Sequence, residues 1–110
     1  MRHKYKATRC QTINGKFDSK RELARWEQLK ILNQCGEITG LTRDRKACTF
    51  PLRGRDGLVV CRYIADFIYL ERGNSKTIVE DSKGFKTRDY AIKRKLFIGE
   101  YGETHEHRES

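Results

Sequence analysis

The chain has 110 residues, of which 36% are hydrophobic and 35% charged, enough for one small domain with a modest core. Lysine and arginine outnumber aspartate and glutamate by 24 to 15, and the net charge of +9 favours a polyanionic partner, nucleic acid first among them. No apolar run approaches a membrane span and no signal peptide is visible, so we expect a soluble cytoplasmic protein.

The first elements predicted along the chain are a small hairpin and a helix. Asn14-Gly15 is a strong hairpin signal, and residues 9 to 17 around it are predicted to form two short strands. Ser19 and Glu22 form a capping box that starts the helix, which is expected to end near Gly36. The apolar arc predicted to pack on the sheet consists of Leu23, Trp26, Leu29 and Leu32.

Glu22 falls near the middle of this arc, and two interpretations of it remain open. As the capping-box residue, its carboxylate hydrogen-bonds back to the Ser19 backbone and needs no further role. As a functional carboxylate, it projects from the inward face of the helix toward the sheet. The two roles are compatible, and the residues alone do not choose between them.

Residues 37 to 62 alternate imperfectly between apolar and polar. We expect a strand near Leu41–Phe50, a break at Pro51, a basic loop through Arg53 and Arg55, and a long strand from Leu58 toward Leu70. The cations predicted on the first of these strands are Arg43, Arg45 and Lys46.

The segment from Tyr63 to Lys86 predicts a β-hairpin, with an apolar run, a polar turn and a second apolar run. If Glu71 faces Lys76 across the turn, Asp66 lies directly opposite Asp81. Like charges at that spacing repel each other unless one is protonated or a cation lies between them. Two such carboxylates suit a hard divalent ion such as Mg²⁺.

Lys83 shares a strand face with Asp81, because residues two apart on a strand point the same way, whereas Glu80 and Ser82 point to the other side. An ammonium group beside two carboxylates could hold a water nucleophile or stabilise charge on a phosphoryl group. The alternative is an ordinary solvent-exposed face, on which Asp66, Asp81 and Lys83 form a surface salt bridge.

A basic helix and an acidic tail are predicted to follow. The helix is capped at Thr87 and runs through RDYAIKRKLF, with its buried face formed by Tyr90, Ile92, Leu96 and Phe97. The cations that could follow a phosphate backbone are Lys86 and, on this helix, Arg88, Lys93, Arg94 and Lys95; a solvated basic face is the alternative.

Residues 100–110 contain four Glu and one Arg and are predicted to be a frayed tail. Its His105 and His107 could bind a metal or simply be solvated.

The order of a helix with Glu22, a strand with Asp66 and a strand with Asp81 and Lys83 resembles the PD-(D/E)XK nuclease superfamily. Within it, FDSKRELARWEQLKIL, YIADFIYL and IVEDSKGFKTRDY resemble a family of small phage-encoded endonucleases related to Holliday-junction resolvases. The match covers most of residues 5 to 98. The chain departs from the pattern at Ala65, which replaces the proline, and at Asp81, where Glu is more usual.

The resemblance implies an α/β fold with a restriction-endonuclease-like core, a small mixed β-sheet flanked by helices, over residues 1–99. It implies a metal-dependent DNA endonuclease in which Asp66, Asp81 and Glu22 bind Mg²⁺ or Mn²⁺, with the Ser82 carbonyl as a further ligand. Lys83 would position or activate the attacking water. The expected partner is branched or duplex DNA, contacted by the basic helix and by Arg43 and Arg45, and a substrate needing two cuts suggests a homodimer in the host cytoplasm.

Two other hypotheses fit the charge of the chain. One is a DNA-binding module without catalysis that uses the basic helix, whose binding would be sensitive to salt and indifferent to Mg²⁺. The other is an RNA-binding protein, which the distribution of aromatic residues does not exclude.

Overall fold

A computed structural model describes residues 10–12, 15–17 and 19–110. Its elements, in chain order, are β1 (Cys10–Thr12), β2 (Gly15–Phe17), α1 (Lys20–Gln34), β3 (Ile38–Thr42), β4 (Thr49–Arg53), β5 (Val59–Ile64), β6 (Phe67–Glu71), β7 (Thr77–Asp81), α2 (Arg88–Tyr101) and β8 (His105–Glu109). Strands β3, β6, β7 and β8 form a four-stranded sheet in that order, while β1–β2 and β4–β5 are separate hairpins.

The four-stranded sheet is mixed and is covered by one helix on each face. Strand β6 runs antiparallel to β3 and β7, whereas β8 runs parallel to β7. Ile78 of β7 packs in a cluster with Leu29 of α1, and the next residue, Val79, packs in a second cluster with Phe97 of α2. Because successive strand residues point to opposite faces, α1 and α2 lie on opposite sides of the sheet. The predicted α/β class, a small mixed sheet flanked by helices, is confirmed.

Both helices begin where the capping signals predicted. The Ser19 hydroxyl accepts a hydrogen bond from the Glu22 N–H at 3.1 Å, and the Thr87 hydroxyl accepts one from the Tyr90 N–H at 3.1 Å. After α1 the chain turns at Gly36, whose φ of +82° is a conformation that glycine adopts without a steric penalty. The predicted hairpin near residue 14 is also present as the antiparallel pair β1–β2, although its turn residues 13 and 14 lie outside the described residues.

The strands between residues 41 and 70 differ from the prediction. The prediction of one strand over Leu41–Phe50 is wrong, because the chain turns between β3 and β4. In that turn the Asp44 carboxylate accepts the Ala47 N–H at 3.1 Å. Pro51 lies inside β4 instead of breaking it; in the described part of the chain this strand pairs with β5 only.

The expected long strand from Leu58 to Leu70 is interrupted at two residues, Ala65 and Asp66. The Ala65 N–H donates to the Cys48 carbonyl at 2.9 Å, whereas the Asp66 N–H donates to the Glu80 carbonyl at 3.1 Å. The chain therefore stops pairing with the β4 side and starts pairing with β7 within one residue. That change of neighbour ends β5 and begins β6.

The buried face of α2 is narrower than predicted. Tyr90 and Phe97 are buried, but Ile92 and Leu96 keep 52% and 47% of their surface exposed. Tyr90 and Phe97 are seven residues apart and so lie on one stripe of the helix, while Ile92 points about 160° away from Tyr90. On α1, three of the four residues of the predicted arc pack inward, with Leu29 fully buried and Trp26 and Leu32 against the same cluster, while Leu23 is half-buried outside it.

The prediction of a frayed tail over residues 100–110 is wrong. Helix α2 continues to Tyr101, and β8 pairs with β7 from Thr77↔His105 to Asp81↔Glu109. The charges that suggested solvation are paired within the fold, since the Arg108 guanidinium donates to Glu71 at 2.9 Å and to Glu106 at 2.6 Å. Strands β7 and β8 with α2 between them form a βαβ unit, the usual connection between parallel strands.

No helix in the described part of the chain combines the length and apolarity needed to cross a membrane.

Candidate active site

The β6–β7 hairpin has the predicted register, and the two aspartates come directly beyond its last pair. Strands β6 and β7 pair from Leu70↔Thr77 to Phe67↔Glu80, so Asp66 and Asp81 both follow that pair at the same end of the hairpin. The Asp66 carboxylate accepts the Ser82 N–H at 2.8 Å, which holds it against the backbone directly after Asp81. The structure thus brings Asp66, Asp81 and Ser82 together at one end of the hairpin.

Asp81 is the unusual group of this site. It is fully buried, and neither of its carboxylate oxygens receives a hydrogen bond from any described residue. The Lys83 ammonium lies 3.4 Å from Oδ1 and the His107 Nε2 lies 3.7 Å from Oδ2, both longer than a good hydrogen bond. Leaving a buried carboxylate without hydrogen bonds costs free energy, and native proteins seldom do so outside functional sites.

Glu80, the neighbouring acid, is fully buried on the opposite face of the sheet. Its carboxylate accepts the Arg25 Nε–H at 2.5 Å and the Tyr69 hydroxyl at 2.5 Å. Burial alone would raise the pKa of Glu80, but the hydrogen bonds from Arg25 and its other neighbours outweigh burial and lower it. Glu80 therefore faces α1 and is fully engaged there, while Asp81 faces α2 together with Lys83.

A second group at the site is His107 of β8, which was predicted to lie in a frayed tail, either binding a metal or solvated. Its side chain is 2% exposed, and its Nε2 lies 2.8 Å from the Tyr63 hydroxyl and 3.4 Å from the Tyr90 hydroxyl. Its closeness to Asp81 depends on β8 lying beside β7. The signal that could have indicated it is the alternation of His105, His107 and Glu109, which puts all three on one face of a strand.

Tyr90 of α2 packs beside His107 and Lys83. Its hydroxyl donates to the Glu109 carboxylate at 2.7 Å, and the Lys83 ammonium lies 5.0 Å from the centre of its ring. Burial, together with the hydrogen bond to Glu109, raises the pKa of Tyr90, so the phenol stays protonated and remains a hydrogen-bond donor. The ring offers Lys83 a cation–π contact that keeps the ammonium near Asp81.

Glu22 does not join the two aspartates in a single cluster. It lies half-buried in the first turn of α1. That end of the helix is close to the site, because the Arg21 guanidinium and the Lys83 N–H both donate to the Ser110 carbonyl, at 3.3 Å and 3.2 Å. Over residues 10–12, 15–17 and 19–110, however, no three His, Cys, Asp or Glu side chains are grouped so that they could hold a metal ion.

The donors that the structure does bring together fit a hard divalent cation. Asp81 presents two buried oxygens without hydrogen bonds, and Asp66 and Ser82 add oxygens beside it. Mg²⁺ commonly takes one or two carboxylates from a protein and completes its shell with water and phosphate oxygens. The residues present therefore suit such an ion without a third carboxylate.

An open cleft of about 270 Å³ lies beside Lys83. Its lining consists of Arg62, Tyr63, Ile64, Lys83, Thr87, Asp89, Tyr90 and Lys93. Three of these side chains are cations, and Arg62 among them was not predicted as a contact residue. The cleft thus combines positive charge with Lys83, whose ammonium lies 3.4 Å from the buried Asp81 carboxylate.

The other predicted basic residues are spread around the molecule. Arg88 and Lys95 are exposed on α2, and Arg45 is exposed in the loop before β4. Lys86 and Arg94 both pair with Glu109, at 3.7 Å and 3.6 Å, near the cleft. Arg43 lies over the Trp26 ring, 5.8 Å from its centre, and so packs against a residue of α1.

Comparison with protein families assigns the chain to a family. Residues 2–109 match the family described as a protein of unknown function, DUF1064. The chain belongs to this family. Comparison with curated proteins and with solved structures found no match.

Proposed function

We propose that the protein is a metal-dependent DNA endonuclease of the PD-(D/E)XK type. The observation that carries the proposal is Asp81, a fully buried carboxylate without hydrogen bonds, 3.4 Å from the Lys83 ammonium and beside Asp66. A buried carboxylate without hydrogen bonds, beside a second carboxylate, a lysine and a basic cleft, is an arrangement suited to a divalent ion and a phosphate. The spacing of the acids and the lysine agrees with the superfamily pattern.

Each residue has a role in this proposal. Asp81 and Asp66 would hold Mg²⁺ or Mn²⁺, with the Ser82 carbonyl as a further ligand and Glu22 reaching the site through water. When bound, the ion would offset the charge that develops on a phosphodiester. The Lys83 ammonium would donate a hydrogen bond to the attacking water or to a phosphate oxygen, and Arg62 and Lys93 would hold neighbouring phosphates.

The finer parts of the proposal are the substrate and the assembly. We propose branched DNA as the preferred substrate, acted on in the cytoplasm of a phage-infected host. We also propose a homodimer, which would place two sites on one branched substrate. Its support in the structure is the exposure of apolar residues on and next to β5, where Leu58 and Val60 keep 68% and 71% of their surface accessible.

A cleavage assay tests the activity. The protein is incubated with a labelled four-way junction and a matched linear duplex in Mg²⁺, Mn²⁺ or EDTA. We expect metal-dependent cutting that is abolished in Asp81→Asn and in Lys83→Ala. Glu80→Gln is the matched control, because it changes the adjacent buried acid on the other face and should still cut. Symmetrical cutting of the junction alone supports a resolvase; cutting of both substrates indicates a general nuclease.

Metal binding has a readout that does not depend on cleavage. An ion that binds only the folded protein stabilises it by about 1.4 kcal/mol at ten times its Kd, which raises Tm by about 5–10 °C in a domain of this size. We expect Mg²⁺ to raise the Tm of the wild type in this way and to leave Asp81→Asn unchanged. Equal shifts in both proteins would contradict a metal site at Asp81.

The second candidate function is a DNA-binding module without catalysis. It is favoured by one observation: among the residues that the structure describes, Glu22, Asp66 and Asp81 do not form a three-carboxylate cluster. This function predicts DNA binding that Mg²⁺ and Asp81→Asn leave unchanged, with no cleavage in any metal. Binding without cutting under every condition would therefore replace the first proposal with this one.

A further inference from the structure

Phe85 is the most exposed large apolar side chain of the described residues. It keeps 81% of its surface accessible, more than Val60 at 71% and Leu58 at 68%. A phenylalanine ring gains free energy when it leaves water, so an isolated ring held in solvent contributes nothing to the stability of this fold. The ring is available to a ligand.

The position of Phe85 in the chain places it at the rim of the basic cleft. It lies in the loop between β7 and α2, with Lys83 two residues before it and Thr87 two residues after it. Both of these residues line the cleft. Two residues of extended chain span at most about 7 Å, so the Phe85 backbone is within that distance of the cleft wall on both sides.

The surroundings of the ring are cationic and lie beside the proposed reaction centre. Lys83 is 3.4 Å from Asp81, and Lys86, which follows Phe85 directly, is exposed and lies 3.7 Å from the Glu109 carboxylate. Cations attract a phosphate backbone, and a nearby aromatic ring provides a flat surface for a base of the same strand. This combination is the one that proteins use to hold single-stranded nucleic acid.

We propose that Phe85 stacks on an unpaired base of a DNA strand whose phosphates lie in the cleft beside Lys83. The inference rests on the proposed function for the choice of DNA, and it names the class of substrate more closely. Bases inside a continuous duplex are already stacked on each other, so only a strand with an unpaired or splayed base can use the ring. Phe85 would therefore favour branch points, flaps and single strands over linear duplex.

Binding measurements on matched DNAs test this proposal. Fluorescence anisotropy in EDTA, where cleavage is suppressed, compares a single-stranded oligonucleotide with the duplex of the same sequence. We expect Phe85→Ala to weaken single-strand binding by roughly five- to 150-fold, the effect of losing one base–aromatic stack. Duplex binding should stay within about twofold, and Phe85→Tyr should bind the single strand nearly as the wild type does.

Two controls separate stacking from other effects. Ile31→Ala removes a comparably exposed apolar side chain, 60% accessible on α1, and should change neither affinity. A single strand carrying 2-aminopurine reports stacking directly, because its fluorescence is quenched when the base stacks; we expect quenching by the wild type and less by Phe85→Ala. Since Phe85 is exposed, its variants should keep the wild-type Tm.

The outcomes distinguish this inference from the proposed function. Equal effects of Phe85→Ala on single strand and duplex, or no effect on either, overturn the stacking role and leave the nuclease proposal intact. If Phe85→Ala differs from the wild type in oligomeric state on gel filtration, Phe85 belongs to a contact between copies of the chain, which would also overturn stacking. Failure of the wild type to bind any DNA would overturn both proposals together.

Discussion

Two adjacent acids at the end of β7 have different surroundings, although both are fully buried. Glu80 accepts hydrogen bonds from Arg25 and Tyr69, so its charge is compensated within the fold. Asp81 has a lysine and a histidine nearby but no hydrogen bond from any described residue. The alternation of the strand sends one acid to the α1 face for stability and the other to the α2 face for the proposed chemistry.

Glu80→Gln should destabilise the protein without removing cleavage. Hydrogen bonds to charged groups contribute about 1.5–3 kcal/mol, so we expect the free energy of unfolding to fall by about 2 kcal/mol at neutral pH. Because the fold lowers the pKa of Glu80 below its usual 4.5, its contribution is complete above that value and is lost as the pH falls through the folded-state pKa.

Urea unfolding at several pH values measures both effects. The wild type and Glu80→Gln should differ most near neutral pH and converge in acid, because the protonated glutamate no longer offers a charged acceptor. A difference that stays constant down to acid pH would mean that the ion pair with Arg25 is not its cause.

At the scale of elements, the unit β7–α2–β8 builds the site. Strand β7 supplies Asp81, helix α2 supplies Tyr90, and β8 supplies His107 and Glu109. The Tyr90 hydroxyl donates to Glu109 and lies 3.4 Å from the His107 Nε2, which is 3.7 Å from Asp81. Strand β8 also pairs with β7 along its whole length and so covers an edge that would otherwise be open. The last strand is therefore part of both the sheet and the site.

Ending the chain after Thr104 should damage the whole fold. The truncation removes β8, leaves the β7 edge unpaired and uncovers the face of Tyr63 and Tyr90 that contacts His107. We expect loss of a cooperative thermal transition and increased self-association, measured by circular dichroism and light scattering.

Arg108→Ala is the control for this truncation, since it keeps β8 and removes only half-exposed ion pairs with Glu71 and Glu106. Such pairs contribute at most about 1 kcal/mol, so the transition should stay cooperative with a slightly lower Tm. A truncated protein that melts like the wild type would show that β8 is dispensable.

At the scale of the whole molecule, charge is arranged in favour of a polyanion near the proposed site. The net charge is +9, and the cleft beside Lys83 contains Arg62 and Lys93 as well. Ion pairs compensate part of the charge both in the cleft, where Lys93 lies 3.6 Å from Asp89, and elsewhere, as with Arg72 and Glu37 at the far end of the β6–β7 hairpin. The field of the molecule would thus direct a phosphate backbone toward the cleft.

The salt dependence of DNA binding tests this arrangement. Each phosphate contact that a cation makes steepens the plot of log K against log salt concentration by about 0.9 for duplex DNA, or about 0.7 for a single strand. We expect Arg62→Ala to reduce the slope by about one contact. Arg72→Ala removes the same charge far from the cleft and should leave the slope unchanged; equal reductions would mean that net charge alone governs binding.

Local signals in the sequence were sufficient for several parts of this protein. The caps at Ser19 and Thr87, the hairpin register and the opposite facing of Glu80 and Asp81 all follow from residues close together in the chain. Each depends on a hydrogen bond or a strand period that a few neighbouring residues determine. The same signals predicted Asp66 and Asp81 at one end of the hairpin, where both lie directly beyond the last pair, Phe67↔Glu80.

Tertiary structure alone decided the rest. His107 reaches Asp81 only because β8 pairs in parallel with β7 across the α2 connection, and the strand break at Asp66 exists only because the chain changes its pairing partner there. The charges of residues 100–110 predicted a solvated tail, yet Arg108 is neutralised by Glu71, which is 37 residues away in the chain. Sequence patterns report the neighbours of a residue along the chain, whereas burial and pairing depend on neighbours that only the folded chain brings together.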